Sequence, residues 1–268
     1  MSSSRSENGG LPLSIAGLGV LLSSEHAGLM EQIFHRYRRY SIPGKDPHKV
    51  KLHILTDFSG NTAEQITISD TQLTVMHQTY EGTVDFERDA SILNLNGKNP
   101  LADLEYFLRL VYAYLGFRAG GFLIHSAGVV REGRSYLFFG PSGSGKSTVA
   151  NLSAQDQVLN DDLVMLLPGI DRWNAFSTPF WNQGRGIDSH PQRAPLAGMY
   201  RLVKDGRNFL EPISAGEALA DLMASIPVLS RNAAFSAGLI QRCSALLDLV
   251  SVNRLHFIPD NSFWDVIG

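Results

Sequence analysis

Eight residues that begin at Gly140 limit the possible folds of this chain more than any others. They read GPSGSGKS and fit the pattern G-x-x-x-x-G-K-[ST]. The apolar run from Tyr136 to Phe139 precedes them, and a helical pattern follows. Glycines permit positive φ, so successive N–H groups can point into one concavity, where the following helix places its positive end. The sequence therefore predicts a strand, a phosphate-binding loop (residues 140–147, the phosphate loop) and a helix.

The phosphate loop predicts a nucleoside triphosphate, which we take as ATP, and Mg²⁺ as the cofactors. Lys146 is expected to reach the β and γ phosphates, and the Ser147 hydroxyl is placed to hold Mg²⁺. The alternative is a turn rich in glycine and serine that binds nothing. The predicted nucleotide-binding residues are Gly140, Pro141, Ser142, Gly143, Ser144, Gly145, Lys146, Ser147 and Thr148.

A pair of carboxylates, Asp161 and Asp162 (the aspartate pair), follows one helix after the phosphate loop. Gln157 to Asn160 form a predicted strand, and a helix between two strands gives a right-handed crossover. This strand should therefore run parallel to the loop strand and end at the same edge of the sheet. Two carboxylates beside a phosphate can divide metal binding and proton transfer between them. The alternative is a solvated Asn-Asp-Asp turn.

Three regions differ in their patterns along the chain. Residues 1–10 read as a disordered polar tail, residues 11–100 as a β-rich N-terminal region, and residues 101–268 as the phosphate-loop core. Segments such as SIAGLGVLL, VKLHILTD, TQLTVMHQ, GTVDFER and SILNLN predict strands. One helix, residues 27–37, is expected among them, with Leu29, Ile33 and Phe34 on one face.

The core region alternates helices and strands, which predicts an α/β fold. A helix begins near Leu101 and closes at Gly120 and Gly121, and two strands then meet at a Glu132-Gly133 turn. AGEALADLMASI and NAAFSAGLIQRCSALLDLV predict two late helices, and NRLHFIP predicts a last strand. A second hairpin turn is expected at Asp205-Gly206, with solvated charges on either side.

Composition excludes several classes of partner. The formal net charge of −3 and the absence of a long basic run predict no nucleic-acid partner. The apolar runs are too short to span a bilayer, so no membrane association is expected. The only cysteine, Cys243, permits no disulfide within the chain and predicts a cytoplasmic protein with a small core residue at that position.

The segments IHSAGVV, the phosphate loop and VLNDDLV together resemble the HPr kinase/phosphorylase superfamily, which shares its nucleotide core with phosphoenolpyruvate carboxykinases. The resemblance covers residues 120–167, and more loosely STPFWN, RAPLAGMYRL and HFIPDNSFWDVI. It implies a nucleotide core of that type, built on a mixed sheet. The first hundred residues do not match the N-terminal domain of HPr kinase, and its phosphorylase signature is not recognisable.

The resemblance also implies roles for individual residues. Asp161 corresponds to the base that acts on a serine hydroxyl, and Asp162 to a metal ligand beside Ser147. His125 matches the family histidine by position, where it could hold the γ phosphate or tune Asp161, or it could be an ordinary core residue. Arg185 is a candidate from its own segment, STPFWNQGRG, and not from the resemblance: in a glycine-flanked loop it could stabilise the transferred phosphoryl group or be an exposed loop cation.

These observations predict an ATP-dependent kinase whose partner is a protein or ribosomally made peptide that carries a serine hydroxyl. The alternatives are a kinase of a small-molecule hydroxyl and a nucleotide-binding switch module without transfer. Whether the protein is a homo-oligomer stays open: HPr kinases form hexamers, but this chain differs from them too much at its N-terminus for the resemblance to imply the same assembly. The chain has no LSGGQ-like segment, which excludes a transport ATPase of the ABC type.

Overall fold

A computed structural model of the chain describes residues 10–41, 48–60, 64–88, 90–181, 190–227, 229 and 233–267. The chain divides into two compact units, Met1–Tyr112 and Ala113–Gly268, so the division falls inside a helix that both units share. The sequence placed its boundary earlier, between residues 100 and 101, and independent folding of either part stays a prediction. No helix among the described residues is both long enough and apolar enough to cross a membrane.

The first unit contains a seven-stranded sheet in the order β1-β2-β3-β7-β6-β5-β4. The contacts β2 to β3 and β3 to β7 are parallel, and the other contacts in this sheet are antiparallel. Its elements are β1 (Leu11–Ile15), β2 (Leu18–Ser23), α1 (Ala27–Tyr37), β3 (His48–Leu55), β4 (Gln65–Ile68), β5 (Gln72–Met76), β6 (Tyr80–Asp85), β7 (Ser91–Leu95) and α2 (Pro100–Arg118), which continues into the second unit.

Two details of this unit differ from the sequence prediction. SIAGLGVLL is not one strand: Ala16 (φ 55°) and Gly17 (φ 79°) form a tight turn between β1 and β2. Helix α1 has the predicted bounds, with Leu29 and Ile33 buried, but Phe34 is 51% exposed. Phe34 follows the buried Ile33 directly and belongs to the predicted apolar face of α1, but its side chain faces solvent.

The second unit is mixed α/β. Its elements are β8 (Phe122–Arg131), β9 (Arg134–Phe139), α3 (Lys146–Leu152), β10 (Gln157–Asn160), β11 (Leu163–Pro168), β12 (Trp173–Phe176), β13 (Arg193–Lys204), β14 (Phe209–Pro212), α4 (Ala215–Ser225), α5 (Ala233–Leu247), β15 (Val252–Phe257) and α6 (Trp264–Ile267). The eight strands form one sheet in the order β10-β8-β11-β12-β13-β15-β14, and β9 pairs with both β8 and β13. The predicted turn at Glu132-Gly133 joins β8 to β9, and Cys243 is buried as expected.

Three parallel strands, β9, β13 and β15, lie side by side in this sheet. Their carboxyl ends meet at one edge, which is the edge where the phosphate loop leaves β9. Buried Phe138, Tyr200 and Phe257 on these strands form one apolar cluster with Val149 of α3 and Phe263 near the C-terminus. Each such side chain stabilises the fold by roughly 1.5–3 kcal/mol. The loop and its helix therefore rest on a packed aromatic core.

The hairpin predicted at Asp205-Gly206 is wrong. β13 and β14 do not pair with each other; β15 lies between them, parallel to β13 and antiparallel to β14. Asp205 instead lies 2.8 Å, from Oδ2, to Nδ1 of His256 on β15. A turn sequence predicts that the chain reverses its direction locally, but it does not predict that a third strand lies between the two strands that it joins.

Candidate active site

The phosphate loop has the backbone geometry that its glycines permit. Gly140, Gly143 and Gly145 have φ of 142°, 77° and 111°, values that L side chains rarely adopt. Gly145 is the N-cap of α3, which begins at Lys146. The first turn of α3, the positive end of the helix, therefore begins at the concavity of the loop.

Gly145 is required by space as well as by backbone conformation. A Cβ atom added there would lie 2.6 Å from Cζ of Phe257, the last residue of β15. Real Cβ atoms essentially never make contacts of that length, so the position of the Phe257 ring requires glycine at residue 145. The close approach of α3 to the end of β15 depends on the absence of a side chain at this position.

The Lys146 ammonium is folded back over the phosphate loop. Nζ donates hydrogen bonds to the carbonyl oxygens of Gly140 (2.9 Å) and Pro141 (3.1 Å). Burial lowers the pKa of Lys146, while the nearby Asp162 carboxylate acts in the opposite direction. The ammonium group is thus held at the phosphate loop, where an anionic ligand can replace its two carbonyl contacts.

The aspartate pair lies in an interruption between two strands that share one partner. Asn160 of β10 opposes Gly128, Leu163 of β11 opposes His125, and both partners belong to β8. Across the interruption, N–H of Ser126 donates to the carbonyl of Asp162 at 3.0 Å. β10 runs in the predicted direction, parallel to β9, but β8 lies between them. The chain therefore does not leave the sheet at the aspartate pair, because β11 pairs with β8 directly after it.

The two aspartates have different environments. Asp162 lies with Oδ1 3.2 Å from Nδ1 of His125, and the exposed fractions of the two side chains are 14% and 41%. Asp161 is fully buried. The structure therefore brings His125 and Asp162 together in accessible space and places the Asp161 carboxyl in the protein interior.

A cavity of ≈ 660 Å³ contains the site, a size typical of ligand pockets. It is lined by His125, Gly140, Pro141, Ser142, Gly143, Gly145, Lys146, Ser147, Thr148, Asp162, Arg201, Lys204, Asp221, Ala224 and Ser225. Two predicted site residues, Ser144 and Asp161, are buried and do not belong to this wall. Arg185, the predicted cation, lies outside the described residues.

The cavity wall also contains residues that no sequence motif indicated. Arg201 and Lys204 come from the end of β13, and Asp221, Ala224 and Ser225 come from α4. Nε of Arg201 lies 3.0 Å from Oδ1 of Asp221. Lys204 is next to the Asp205-Gly206 dipeptide, where the sequence predicts a solvated charge, and it lines the cavity. The only signal for these residues was that β13 ends at the edge where the phosphate loop begins, and that requires the strand pairing.

Comparisons with known proteins give little beyond this geometry. No protein-family model matches the sequence, and no curated protein matches it. Among solved structures, the Hpr(Ser) kinase/phosphatase from Coxiella burnetii matches with a TM-score of 0.28 and 15% sequence identity. The match covers 50% of this chain and 84% of that chain. The structural similarity is distant.

Proposed function

We propose that this protein is an ATP-dependent phosphotransferase that transfers the γ-phosphoryl group to a hydroxyl, the serine of a protein or peptide. The observation that carries the proposal is the single cavity in which the phosphate loop, Lys146 and the contact between His125 and Asp162 meet. A module that only binds nucleotide needs the loop and the lysine. A histidine and a carboxylate on the same wall add groups that can act on an acceptor hydroxyl.

The residues present fit a triphosphate. The glycine conformations open the loop, the start of α3 supplies N–H donors, and Lys146 supplies a positive charge. The cavity wall also carries Arg201 and Lys204, so the site has more cationic than anionic side chains. This balance favours a ligand with several negative charges.

The residues also fit Mg²⁺ held jointly with the nucleotide. Among the described residues, no group of three or more His, Cys, Asp or Glu side chains could hold a metal ion alone. Mg²⁺ is usually bound by one or two protein oxygens with water and substrate phosphates. Ser147 and Asp162 are the proposed ligands, both on the cavity wall. When bound there, the metal ion would neutralise charge on the phosphate oxygens.

We propose His125 as the proton acceptor, and its contact with Asp162 supports this role. If its Nδ1–H donates to Asp162, Nε2 is left as an acceptor, and the carboxylate fixes this tautomer. The acceptor oxygen forms a bond to the γ phosphorus as the bond to the β–γ bridging oxygen breaks, and the hydroxyl proton passes to Nε2. Asp161, which the family resemblance favours as the base, would have to leave its buried position to do the same.

A transfer assay with a binding control tests this function. Purified protein is incubated with Mg²⁺ and γ-labelled ATP, with seryl peptides in one arm and free serine or other small hydroxyl compounds in the other. We expect label on a peptide and a rise in Tm with nucleotide. Lys146→Met should lose both, whereas Lys98→Met, a lysine of the first unit, should keep both.

The three functions give different results in this assay. Label on a small molecule alone would favour the small-molecule kinase. A nucleotide-dependent rise in Tm without ADP or a labelled acceptor would favour the switch module. No effect of nucleotide on Tm at millimolar ATP would overturn the proposal.

A further inference from the structure

A buried polar network surrounds the backbone of the aspartate pair. Asn160 is completely buried. Its Oδ1 accepts hydrogen bonds from the N–H of Asp162 (2.7 Å) and of Leu163 (2.8 Å). Its Nδ2 donates to the carbonyl of Thr178 (3.0 Å) and lies 3.2 Å from Oγ1 of the same residue. Both ends of the amide are therefore used, which fixes its orientation.

Thr178 closes the network from the other side. It is also fully buried. Its hydroxyl donates to the carbonyl of Leu163 at 2.7 Å and accepts from the N–H of Phe180 at 3.3 Å. The neighbouring Ser177 pairs with Gln192 through both backbone and side chain, just before β13 begins. The segment that contains Thr178 is thus held in place independently of the aspartate pair.

The network has a specific effect on the interruption between β10 and β11. At this interruption, Oδ1 of Asn160 accepts hydrogen bonds from the N–H groups of both Asp162 and Leu163. The backbone direction at Asp162 determines which way its side chain points. Buried networks of this kind specify one conformation when all their members are satisfied.

We infer that Asn160 and Thr178 are positioning residues that hold the Asp162 carboxylate on the cavity wall, where it contacts His125. Neither residue lines the cavity. The inference rests on the proposed function for its metal-binding consequence: a displaced Asp162 would weaken Mg²⁺-dependent nucleotide binding. Loss of groups that orient a metal ligand typically costs about tenfold to a hundredfold in affinity or activity.

Thr178→Val tests the network, because it keeps the shape of the side chain and removes the hydroxyl. Thr178→Ser restores the hydroxyl and should behave as the wild-type protein. Ser135→Ala is the matched control, since Ser135 is another fully buried hydroxyl of this unit and donates to Pro195 at 3.0 Å. Two measurements are compared in all four proteins: amide hydrogen exchange without nucleotide, and ATP binding with Mg²⁺ or with EDTA.

We expect Thr178→Val to speed exchange at the amides of Asp162 and Leu163 at least tenfold, relative to the global change seen in Ser135→Ala. Mg²⁺-ATP binding should weaken about tenfold or more, with ATP binding in EDTA unchanged. Unchanged exchange at these amides would overturn the inference, as would an equal loss of binding with and without Mg²⁺. If wild-type ATP binding is indifferent to Mg²⁺, the proposed metal site fails, and the exchange result alone decides the positioning role.

Discussion

His125 of β8 contacts Asp162, which lies in the interruption between β10 and β11, with Nδ1 and Oδ1 3.2 Å apart. Strand register explains the contact: the carbonyl of Asp162 accepts from Ser126, Ser126 opposes Phe139, and Phe139 opposes Arg201. The phosphate loop begins directly after Phe139. One row across the sheet therefore places the aspartate on one flank of the loop and the arginine on the other, with their backbones about 14 Å apart in the direction perpendicular to the strands.

Substitution of His125 and of Asp162 separates the roles of the two residues. His125→Gln should lower kcat about 10²- to 10⁴-fold with little change in Mg²⁺-ATP binding, because it removes a proton acceptor. Asp162→Asn should weaken Mg²⁺-ATP binding as well as kcat. Steady-state kinetics and calorimetric titration measure both quantities.

Asp161→Asn decides between the two candidate bases. If Asp161 were the base, its loss would reduce kcat as strongly as the loss of His125, at normal Tm. We expect instead an effect on stability with the transfer reaction retained. Asp156→Asn, in the turn before β10, is the matched control and should leave kcat, binding and Tm unchanged.

Gly145→Ala should disrupt the phosphate loop. The new Cβ meets the Phe257 ring, and the φ of 111° is strained for any L side chain. Strain of this kind costs about 1–3 kcal/mol, so we expect a lower Tm and loss of nucleotide binding.

Two other glycines calibrate this result. A Cβ at Gly206 meets nothing within 4 Å and its φ is not positive, so Gly206→Ala should be neutral. Gly143 has a φ of 77° but open space around it, so Gly143→Ala should show backbone strain without the ring contact. A Tm for Gly145→Ala equal to that of Gly206→Ala would contradict the packing of α3 against β15.

Local patterns in the sequence predicted the elements that depend on neighbouring residues. Helix α1 follows from its apolar spacing, and the turn at Glu132-Gly133 from its residue types. The loop conformation follows from its glycines, because no distant contact is needed to permit positive φ. The same locality explains the error at Ala16-Gly17, where an alanine gave no turn signal although its φ is 55°.

Long-range pairing determined what the sequence did not predict. Arg201 and Asp221 meet because β13 ends beside α4, and no local pattern encodes that proximity. Asp161 and Asp162 are adjacent and chemically identical, so only the register on β8 and the hydrogen bonds of Asn160 decide which carboxylate reaches the cavity. Sequence spacing located the pair but could not distinguish its members.

Cys243 should make the protein sensitive to alkaline pH. Burial raises the pKa of its thiol from 9.0 to about 12. Above pH 9 the unfolded chain loses this proton while the folded chain keeps it, so stability falls as pH rises from 9 toward 12. The slope from this group is about 1.4 kcal/mol per pH unit.

The comparison of wild type with Cys243→Ala isolates this effect. The buried hydroxyl of Tyr112 also has a raised pKa and contributes alkaline sensitivity, but it is common to both proteins. Urea denaturation from pH 8 to pH 11 should give a shallower decline for the variant, whatever its stability at pH 8. Parallel curves would mean that the thiol is accessible to water in the folded state.

Lys204→Gln should weaken the binding of Mg²⁺-ATP by about twofold to fivefold at low salt, because it removes an exposed cation from the cavity wall. The effect should shrink above 0.15 M salt, where exposed charges are screened. Arg207→Gln removes the same charge from the same turn, but Arg207 packs over the Phe209 ring and does not line the cavity. Fluorescence titration of the two variants compares them directly. Equal losses would attribute the effect to net charge alone, whereas a loss confined to Lys204→Gln assigns that residue to the anionic ligand.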